Sequence, residues 1–186
     1  MPLANETVGT DQELWNAFRK GEEQAFAQIA RQYYPGLFSY GAKFSRDREF
    51  VNDCVQDLFL ELWSKRESIG DTQFVKFYLF KSLRRKIHRE SIRRNRLGEE
   101  QELEWDYEIL FDESFEQQLI TLETNEQRLK ALNQQLESLS KRQQEAIYLK
   151  FFENLDNNSI AEVMNITPQA VANLIYRSIR DLKERL

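Results

Sequence analysis

The last 32 residues of the chain, 155–186, constrain its fold more than any other stretch. Asp156 can cap a short helix because its carboxylate can accept the free backbone N–H groups at the helix start. That helix is expected to end at Asn165, since the turn there needs a residue that tolerates positive φ. Thr167 then caps a second helix, and Pro168 fills its first position, where a missing N–H costs nothing. The stretch therefore predicts a helix-turn-helix.

The second predicted helix has one apolar face and one polar face. Its apolar residues recur at spacings of four, four, three and four, which gives a single stripe along a helix. On the opposite face Gln and Asn can bind adenine bidentately, while Tyr and Arg can reach phosphates, so this helix can enter a DNA major groove. An ordinary helical hairpin with a solvated polar face is the alternative. The stripe is Val171, Ile175, Ile179, Leu182 and Leu186, and the polar face is Gln169, Asn173, Tyr176 and Arg180.

Composition favours an all-α protein. The 186 residues suit one or two domains, and the sequence has only three prolines and six glycines. No apolar run approaches membrane-spanning length, and the N-terminus lacks the features of a signal peptide. The single cysteine, Cys54, excludes an internal disulfide and a zinc site built on several cysteines. With no phosphate-binding loop and no nucleophile beside a base, we expect a cytoplasmic protein that is not an enzyme and has no cofactor.

The N-terminal stretch predicts two helices. Thr10 and Glu13 form a capping-box pattern that opens the first helix. Gly21 breaks this helix, and the second is expected to end or bend at Pro35–Gly36, because proline cannot donate a backbone hydrogen bond. The residues expected inside are Leu14, Ala17, Phe18, Phe26, Ile29, Ala30 and Tyr33.

Residues 49–65 predict a strongly amphipathic helix. Its buried stripe is Val51, Val55, Leu58 and Leu62, and its other sides carry Asp53, Gln56, Asp57 and Leu60. An exposed leucine among acidic residues indicates a protein interface. Cys54 is interpreted as a small buried hydrophobe rather than a reactive thiol.

Residues 74–96 carry nine Lys or Arg and one acid, Glu90. Positive charge interleaved with aromatic rings fits single-stranded or melted nucleic acid, because phosphates take the charge and splayed bases stack on rings. The alternative is that the rings belong to the core and the charges are merely solvated. Phe80, Leu83 and Ile87 can face a core, which leaves Lys81, Arg84, Arg85, His88 and Arg89 outward. His88, the only histidine, is interpreted as a surface side chain.

The net charge of −5 conceals a block pattern. Residues 97–125 hold ten acidic side chains and no Lys or Arg, and without them 26 basic residues face 21 acidic ones. This block is either a solvated linker or an extended segment that mimics nucleic-acid charge. Two further helices would complete a four-helix C-terminal domain; they carry Leu129, Leu132, Leu136, Leu139, the capping-box pair Ser140 and Gln143, Ile147 and Phe151.

Three of these stretches together resemble the extracytoplasmic-function subfamily of bacterial RNA polymerase sigma factors. The sequence DCVQDLFLELW at 53–63 resembles the polymerase-binding helix of the family. The sequence FYLFKSLRRKIHRESIRRNR at 77–96 resembles the helix that engages the −10 promoter element. Residues 139–186 resemble the −35-binding domain. One such motif alone would be weak, but the three in this order and separation are specific.

The resemblance implies two small helical domains joined by an acidic linker. A tail, 1–10, would precede sigma domain 2 over 11–96, the linker over 97–125 and sigma domain 4 over 126–186. Such a protein would bind the beta-prime clamp helices and beta flap of core RNA polymerase, direct it to promoter DNA and help open the duplex without ATP. An anti-sigma factor would be a further partner, and no membrane insertion is implied.

The resemblance also assigns residues to these roles. The loop 66–73 would capture a flipped −10 base, and the linker would thread towards the RNA exit path. Polymerase binding would fall to Asp53, Gln56, Asp57 and Leu60, and −10 binding to Lys76, Lys81, Arg84, Arg85, His88 and Arg89. The −35 contacts would come from Thr167, Gln169, Ala172, Asn173, Tyr176, Arg177 and Arg180.

The chain departs from the family pattern at four positions. Arg85 stands where Asn is frequent, Ala172 and Leu174 where Lys and Arg are usual, and Asn165 where Gly is usual. Fewer recognition-helix cations predict weaker binding to DNA without polymerase. Two other classes therefore stay open. A helix-turn-helix repressor would carry a dimerisation or ligand domain in place of residues 11–96, and a sigma-like decoy would bind polymerase without reading DNA.

Overall fold

The computed structural model describes residues 10–96, 136 and 138–184. Within them the chain forms seven α-helices and one π-helical turn, with no β-strand, which confirms the all-α prediction. The helices are α1 (Asp11–Arg19), α2 (Glu23–Gly41), α3 (Arg48–Ser64), α4 (Val75–Arg96), α5 (Lys141–Ile147), α6 (Asn157–Met164) and α7 (Pro168–Lys183), and the π-helical turn is Tyr148–Phe152. The acidic linker and the helix expected near 129–136 lie outside the described residues, apart from Leu136 itself.

Helices α1 to α4 form an N-terminal group around an aromatic core. Trp15, Phe18, Tyr40, Phe50 and Phe80 are among the largest fully buried side chains. Full burial of one such ring contributes roughly 1.5–3 kcal/mol, so this cluster holds the four helices together. The apolar stripe predicted for α3 is buried as expected, with Val51, Val55, Leu58 and Leu62 all inside.

The second helix does not end at Pro35–Gly36. It continues to Gly41, with Pro35 inside it. Proline removes one backbone hydrogen bond, but the last turn is held by Leu37 and Tyr40, which are completely buried. Of the two predicted alternatives, an end or a bend, the end is therefore wrong, because tertiary burial outweighs the local penalty.

Helices α5 to α7 and the π-helical turn form a C-terminal group, and the predicted caps begin its helices. Ser140 and Gln143 make a capping box before α5, and Asp156 accepts backbone hydrogen bonds at the start of α6. Asn165 ends α6 in the left-handed conformation at φ 55°. Thr167 caps α7 through a hydrogen bond from Ala170 N. The helix-turn-helix prediction is confirmed residue by residue.

The two groups pack against each other through α4 and α6, and one hydrophobic cluster runs through both. A smaller cluster of Leu136, Leu139 and Ile147 supports α7 from the other side. Among the described helices, none combines the length and the apolarity that crossing a bilayer requires.

Candidate functional site

Helix α3 presents an exposed stripe beside an apolar groove. Asp53, Gln56, Asp57 and Leu60 are all exposed, and Leu60 retains 67% of its accessible surface. The groove has a volume of about 490 Å³ and is lined by Glu23, Phe26, Gln56, Phe59, Leu60 and Trp63. An exposed leucine at the edge of an aromatic groove can take an apolar side chain from a protein partner, while the two aspartates can meet cations around it.

One residue of this stripe also has a structural partner that the sequence did not indicate. Lys86 of α4 is 5% exposed, and its Nζ lies 2.5 Å from Glu61 Oε1 and 3.5 Å from Asp57 Oδ2. The hydrogen bond that Lys86 donates lowers the pKa of Glu61. Lys86 therefore links α4 to α3. Asp57 belongs to the exposed stripe and also forms an ion pair with the buried Lys86.

Helix α4 carries an exposed cationic surface. Arg85 and His88 are exposed, and Arg89 is exposed while contacting Glu61 and Glu90. Phe80, Leu83 and Ile87 are buried as predicted. The cationic surface continues towards the end of the helix as a shallow depression of about 410 Å³, lined by Arg89, Ile92, Arg93 and Arg96.

The other three candidate −10 cations are engaged by the C-terminal group. Lys76 Nζ lies 2.8 Å from Glu153 Oε2, and Lys81 Nζ lies 2.6 Å from Glu162 Oε2. Arg84 Nε donates to Glu145 Oε1 across 2.9 Å. The structure thus divides the predicted set of six into three cations paired across the domains and three on the open face.

The loop 66–73 is fastened to α1. Trp15 Nε1 donates to Gly70 O across 3.1 Å, and Arg19 Nε donates to Ile69 O across 2.7 Å. Phe74, directly after the loop, is 61% exposed. Both donors bind backbone carbonyl oxygens, so these hydrogen bonds fix the backbone path of the loop independently of its side chains. Sequence patterns gave no sign of this, because the donors lie 50 residues or more from their acceptors.

Helix α7 exposes the predicted polar face. Gln169 Nε2 donates to Asn173 Oδ1 across 3.3 Å, which aligns two amides on one side of the helix. Leu174 packs against the core, so a cation at this position would not lie on the open face. Ala172 is half-buried, and the exposed members of the set are Thr167, Gln169, Asn173, Tyr176, Arg177 and Arg180.

Comparison with known families matches both parts of this arrangement. The sigma-70 region 2 family matches residues 29–97, and the sigma-70 region 4 family matches residues 129–182. Together the two regions account for most of the chain and mark extracytoplasmic-function-type sigma factors. This chain belongs to the sigma-70 family. It is a sigma factor of that type, whose domains bind core RNA polymerase and promoter DNA.

Solved structures share the fold of this sigma factor. One is CnrH in complex with the cytosolic domain of CnrY, with TM-score 0.62 and 18% identity, covering 95% of this chain and 96% of the other. Another is the sigma factor RpoE of Bartonella quintana in complex with the anti-sigma factor NepR, with TM-score 0.60 and 21% identity, covering 87% and 96%. No curated protein sequence matches the chain.

Proposed function

We propose that this sigma factor docks on core RNA polymerase through α3 and engages promoter DNA through α4, the loop 66–73 and α7. The observation that carries the proposal is the contrast between two neighbouring helices. Helix α3 exposes Leu60 and acids beside an aromatic groove, whereas α4 exposes Arg85, His88 and Arg89. One helix is suited to a protein partner and the other to a polyanion.

The polymerase-binding residues would be Asp53, Gln56, Asp57 and Leu60. Leu60 would enter an apolar pocket of the partner, because a leucine with 67% exposure gains most when a partner covers it. The aspartates would steer the encounter with cationic helices of polymerase and fix the register of docking.

The −10 element would be bound by Lys76, Lys81, Arg84, Arg85, His88 and Arg89, with the loop 66–73 taking an unstacked base. Cations along α4 would neutralise the phosphates of the melted strand. Phe74 offers an exposed ring at the entrance of the helix, where a base can stack. Trp15 and Arg19 would act as positioning residues for the loop.

The −35 element would be read by α7. Gln169 and Asn173 are suited to adenine edges in the major groove, while Tyr176, Arg177 and Arg180 are suited to phosphates. Thr167 caps the helix and lies at the end that would enter the groove first. Ala172 would add an apolar contact between the two amides and the backbone.

The proposed organisation is sigma domain 2 over 11–96, a linker over 97–125 and sigma domain 4 over 126–186, after a tail at 1–10. The protein would act in the cytoplasm, where polymerase and DNA are, and it would have no catalytic role of its own. Two solved relatives are bound to partners, named in one case as an anti-sigma factor and in the other as a cytosolic domain. We therefore include an anti-sigma factor among the proposed partners.

A polymerase-binding decoy is the second candidate, favoured by one observation. Three of the six candidate −10 residues are paired with glutamates in this structure. Open-complex formation separates the two functions. Core polymerase with this chain should make thymines near −10 reactive to permanganate on a cognate promoter, whereas a decoy would bind core and leave the duplex closed.

A further inference from the structure

Three glutamates of the C-terminal group meet three cations of α4. Glu145 comes from α5, Glu153 follows the π-helical turn and Glu162 comes from α6. We call them the glutamate triad, and Lys76, Lys81 and Arg84 the α4 contact face. The distances between the paired atoms are 2.8 Å for Lys76 and Glu153, 2.6 Å for Lys81 and Glu162, and 2.9 Å for Arg84 and Glu145.

The pair of Arg84 and Glu145 is buried in the interface between the two groups. The side chain of Glu145 has no exposed area, and its Oε1 accepts hydrogen bonds from Arg84 Nε and from Tyr40 OH. Its Oε2 is buried without a hydrogen-bond partner. A carboxylate placed so deeply is stable only while its cation and hydroxyl donors remain, so this pair holds the two groups together in one arrangement.

Aromatic contacts extend the same interface around the triad. The rings of Tyr40 and Tyr148 stack with centroids 6.1 Å apart, and Lys43 Nζ lies 4.4 Å from the centroid of the Tyr148 ring. Gly36 faces Glu153 so closely that a Cβ at this glycine would lie 3.3 Å from Glu153 Oε1. The contact therefore spans α2 as well as α4, and it does not depend on a single side chain.

We propose that the α4 contact face is one binding surface for two mutually exclusive partners, the glutamate triad of this chain and the phosphates of promoter DNA. Carboxylate and phosphate oxygens both accept charge-assisted hydrogen bonds from Lys and Arg, so the triad occupies the positions that phosphates would take. This inference rests on the proposed role of α4 in DNA binding.

The closed arrangement separates the two surfaces of the N-terminal group. Asp53, Gln56 and Leu60 on α3 stay exposed while the α4 contact face is covered. The closed chain can therefore meet polymerase while three of the proposed −10 residues are still engaged by the triad. Binding of phosphates to the α4 contact face requires the triad to leave, and the apparent affinity of this face for DNA is reduced by the fraction of chains that are closed.

The test uses the full-length chain with two charges removed from the triad. Glu153→Gln with Glu162→Gln keeps the shapes and leaves buried Glu145 in place. The matched control, Glu22→Gln with Glu49→Gln, removes the same charge from two exposed positions, the N-cap of α2 and the first turn of α3. Fluorescence anisotropy measures binding of a labelled oligothymidine of about 20 nucleotides, because phosphate contacts are independent of sequence. Small-angle X-ray scattering measures the radius of gyration, for which a compact chain of this length gives about 16 Å.

The triad variant should bind the oligonucleotide about threefold to tenfold more tightly, since opening removes the closed fraction. Its radius of gyration should rise by about 2 Å or more above the compact value. The control should stay within about twofold in affinity and keep its dimensions, because distant charges are screened. Equal behaviour of the two variants would overturn the proposal, as would tighter binding without expansion or expansion without tighter binding.

A charge-swap experiment distinguishes opening of the chain from loss of folding. Glu162 is exposed, so Glu162→Lys should fold and should shift the chain towards the open form by repelling Lys81. Adding Lys81→Glu to it restores opposite charges and should restore the compact radius of gyration. Failure of the swap to close the chain would contradict the pairing.

A separate substitution distinguishes this proposal from the function on which it rests. Arg85→Ala with His88→Ala removes a guanidinium and an imidazole from the open face of α4 without touching the triad. If this variant loses oligonucleotide binding while the triad variant behaves like its control, α4 still binds DNA and only the competition is wrong. If no α4 substitution changes binding, both the competition and the DNA-binding role of α4 are wrong.

Discussion

Arg84 Nε donates a hydrogen bond to Glu145 Oε1 across 2.9 Å, joining residues 61 positions apart in two different groups of helices. Burial raises the pKa of Glu145, and the charge of Arg84 opposes that rise. Burial lowers the pKa of Arg84, but the charge of Glu145 and its hydrogen bond raise that pKa by more, so the pKa of Arg84 is raised overall. Replacing Arg84 would thus disturb the domain arrangement as well as any DNA contact.

The open face of α4 therefore gives the cleaner test of promoter opening. Arg85→Ala with Arg89→Ala should lower open-complex formation about tenfold or more, because two cations proposed to bind phosphates of the melted strand are lost. Binding to core polymerase should change less than about twofold, since the exposed residues Asp53, Gln56, Asp57 and Leu60 of α3 are left in place. Permanganate reactivity measures the first quantity and a core-binding titration the second. An equal fall in both would refute this division of labour between α4 and α3.

Substitutions on α3 should have the opposite effect. Asp53→Lys with Leu60→Ala should weaken core binding by about tenfold, or about 1.4 kcal/mol, because one steering charge and one apolar anchor are lost. Asp57 is left in place because it also lies 3.5 Å from buried Lys86. Glu22→Lys, at the exposed N-cap of α2, is the control. Unchanged core affinity in the α3 variant would show that this stripe is not the docking surface.

The local features of this fold could be predicted because their causes lie within a few residues. The capping boxes at Thr10 and Ser140, the cap at Asp156 and the left-handed Asn165 each depend on hydrogen bonds or sterics within one turn. The apolar stripes of α3 and α7 follow from helical periodicity in the same way.

The missed features depend on partners far away in sequence. Lys86 is buried beside its partner Glu61, which lies 25 positions earlier in the sequence. Glu145 is buried beside its donor Tyr40, which lies 105 positions earlier. Helical spacing placed cations on α4 but could not show which of them the C-terminal group would cover. Pro35 stays inside α2 for the same reason, since the burial of Tyr40 is a tertiary effect.

The attachment of the loop 66–73 to α1 makes a further prediction. Arg19→Ala removes the donor to Ile69 O and should slow open-complex formation several-fold, because the loop would no longer be held for base capture. Arg19→Lys, which can still donate, should recover part of the rate. Core affinity should stay unchanged in both variants. Rates equal to wild type in Arg19→Ala would exclude a positioning role.

The amide pair on α7 predicts specificity at the upstream element. Gln169→Ala with Asn173→Ala should reduce discrimination against base changes in the −35 element by about 1–3 kcal/mol per lost bidentate contact. The −10 preference should stay as it is. Transcription from a library randomised at both elements measures the two preferences together. Retention of the full −35 preference would place base reading elsewhere on the domain.

The cap of α6 gives a prediction for pH dependence. Hydrogen bonds from the backbone and hydroxyl of Ser159, and from the backbone of Asn158, lower the pKa of Asp156 below its ordinary value. A carboxylate whose pKa is lowered on folding stabilises the fold above its unfolded pKa, and the stabilisation is lost as pH falls through the folded pKa. Asp156→Ala should therefore cost about 1 kcal/mol near neutral pH.

That difference in unfolding free energy between wild type and Asp156→Ala should shrink as pH falls from the unfolded pKa of about 4 towards the lower folded pKa, where wild type loses the charged cap. Thermal denaturation of both proteins at about pH 7 and about pH 3 measures it. The thermal stability of Asp156→Asn, which keeps a neutral cap, should lie between those of wild type and Asp156→Ala. An equal difference in stability between wild type and Asp156→Ala at both pH values would exclude a role for the charge of Asp156.

The most direct measurement is transcription by purified core RNA polymerase with this chain on a pool of promoter fragments from the source bacterium, with transcript starts determined by sequencing. The account predicts discrete starts that depend on the chain and share two upstream motifs, at −10 and −35. It also predicts that transcription from these starts falls about tenfold or more with the Arg85→Ala, Arg89→Ala variant although core binding persists. Firm core binding without any start, on a pool known to contain a cognate promoter, would contradict the account.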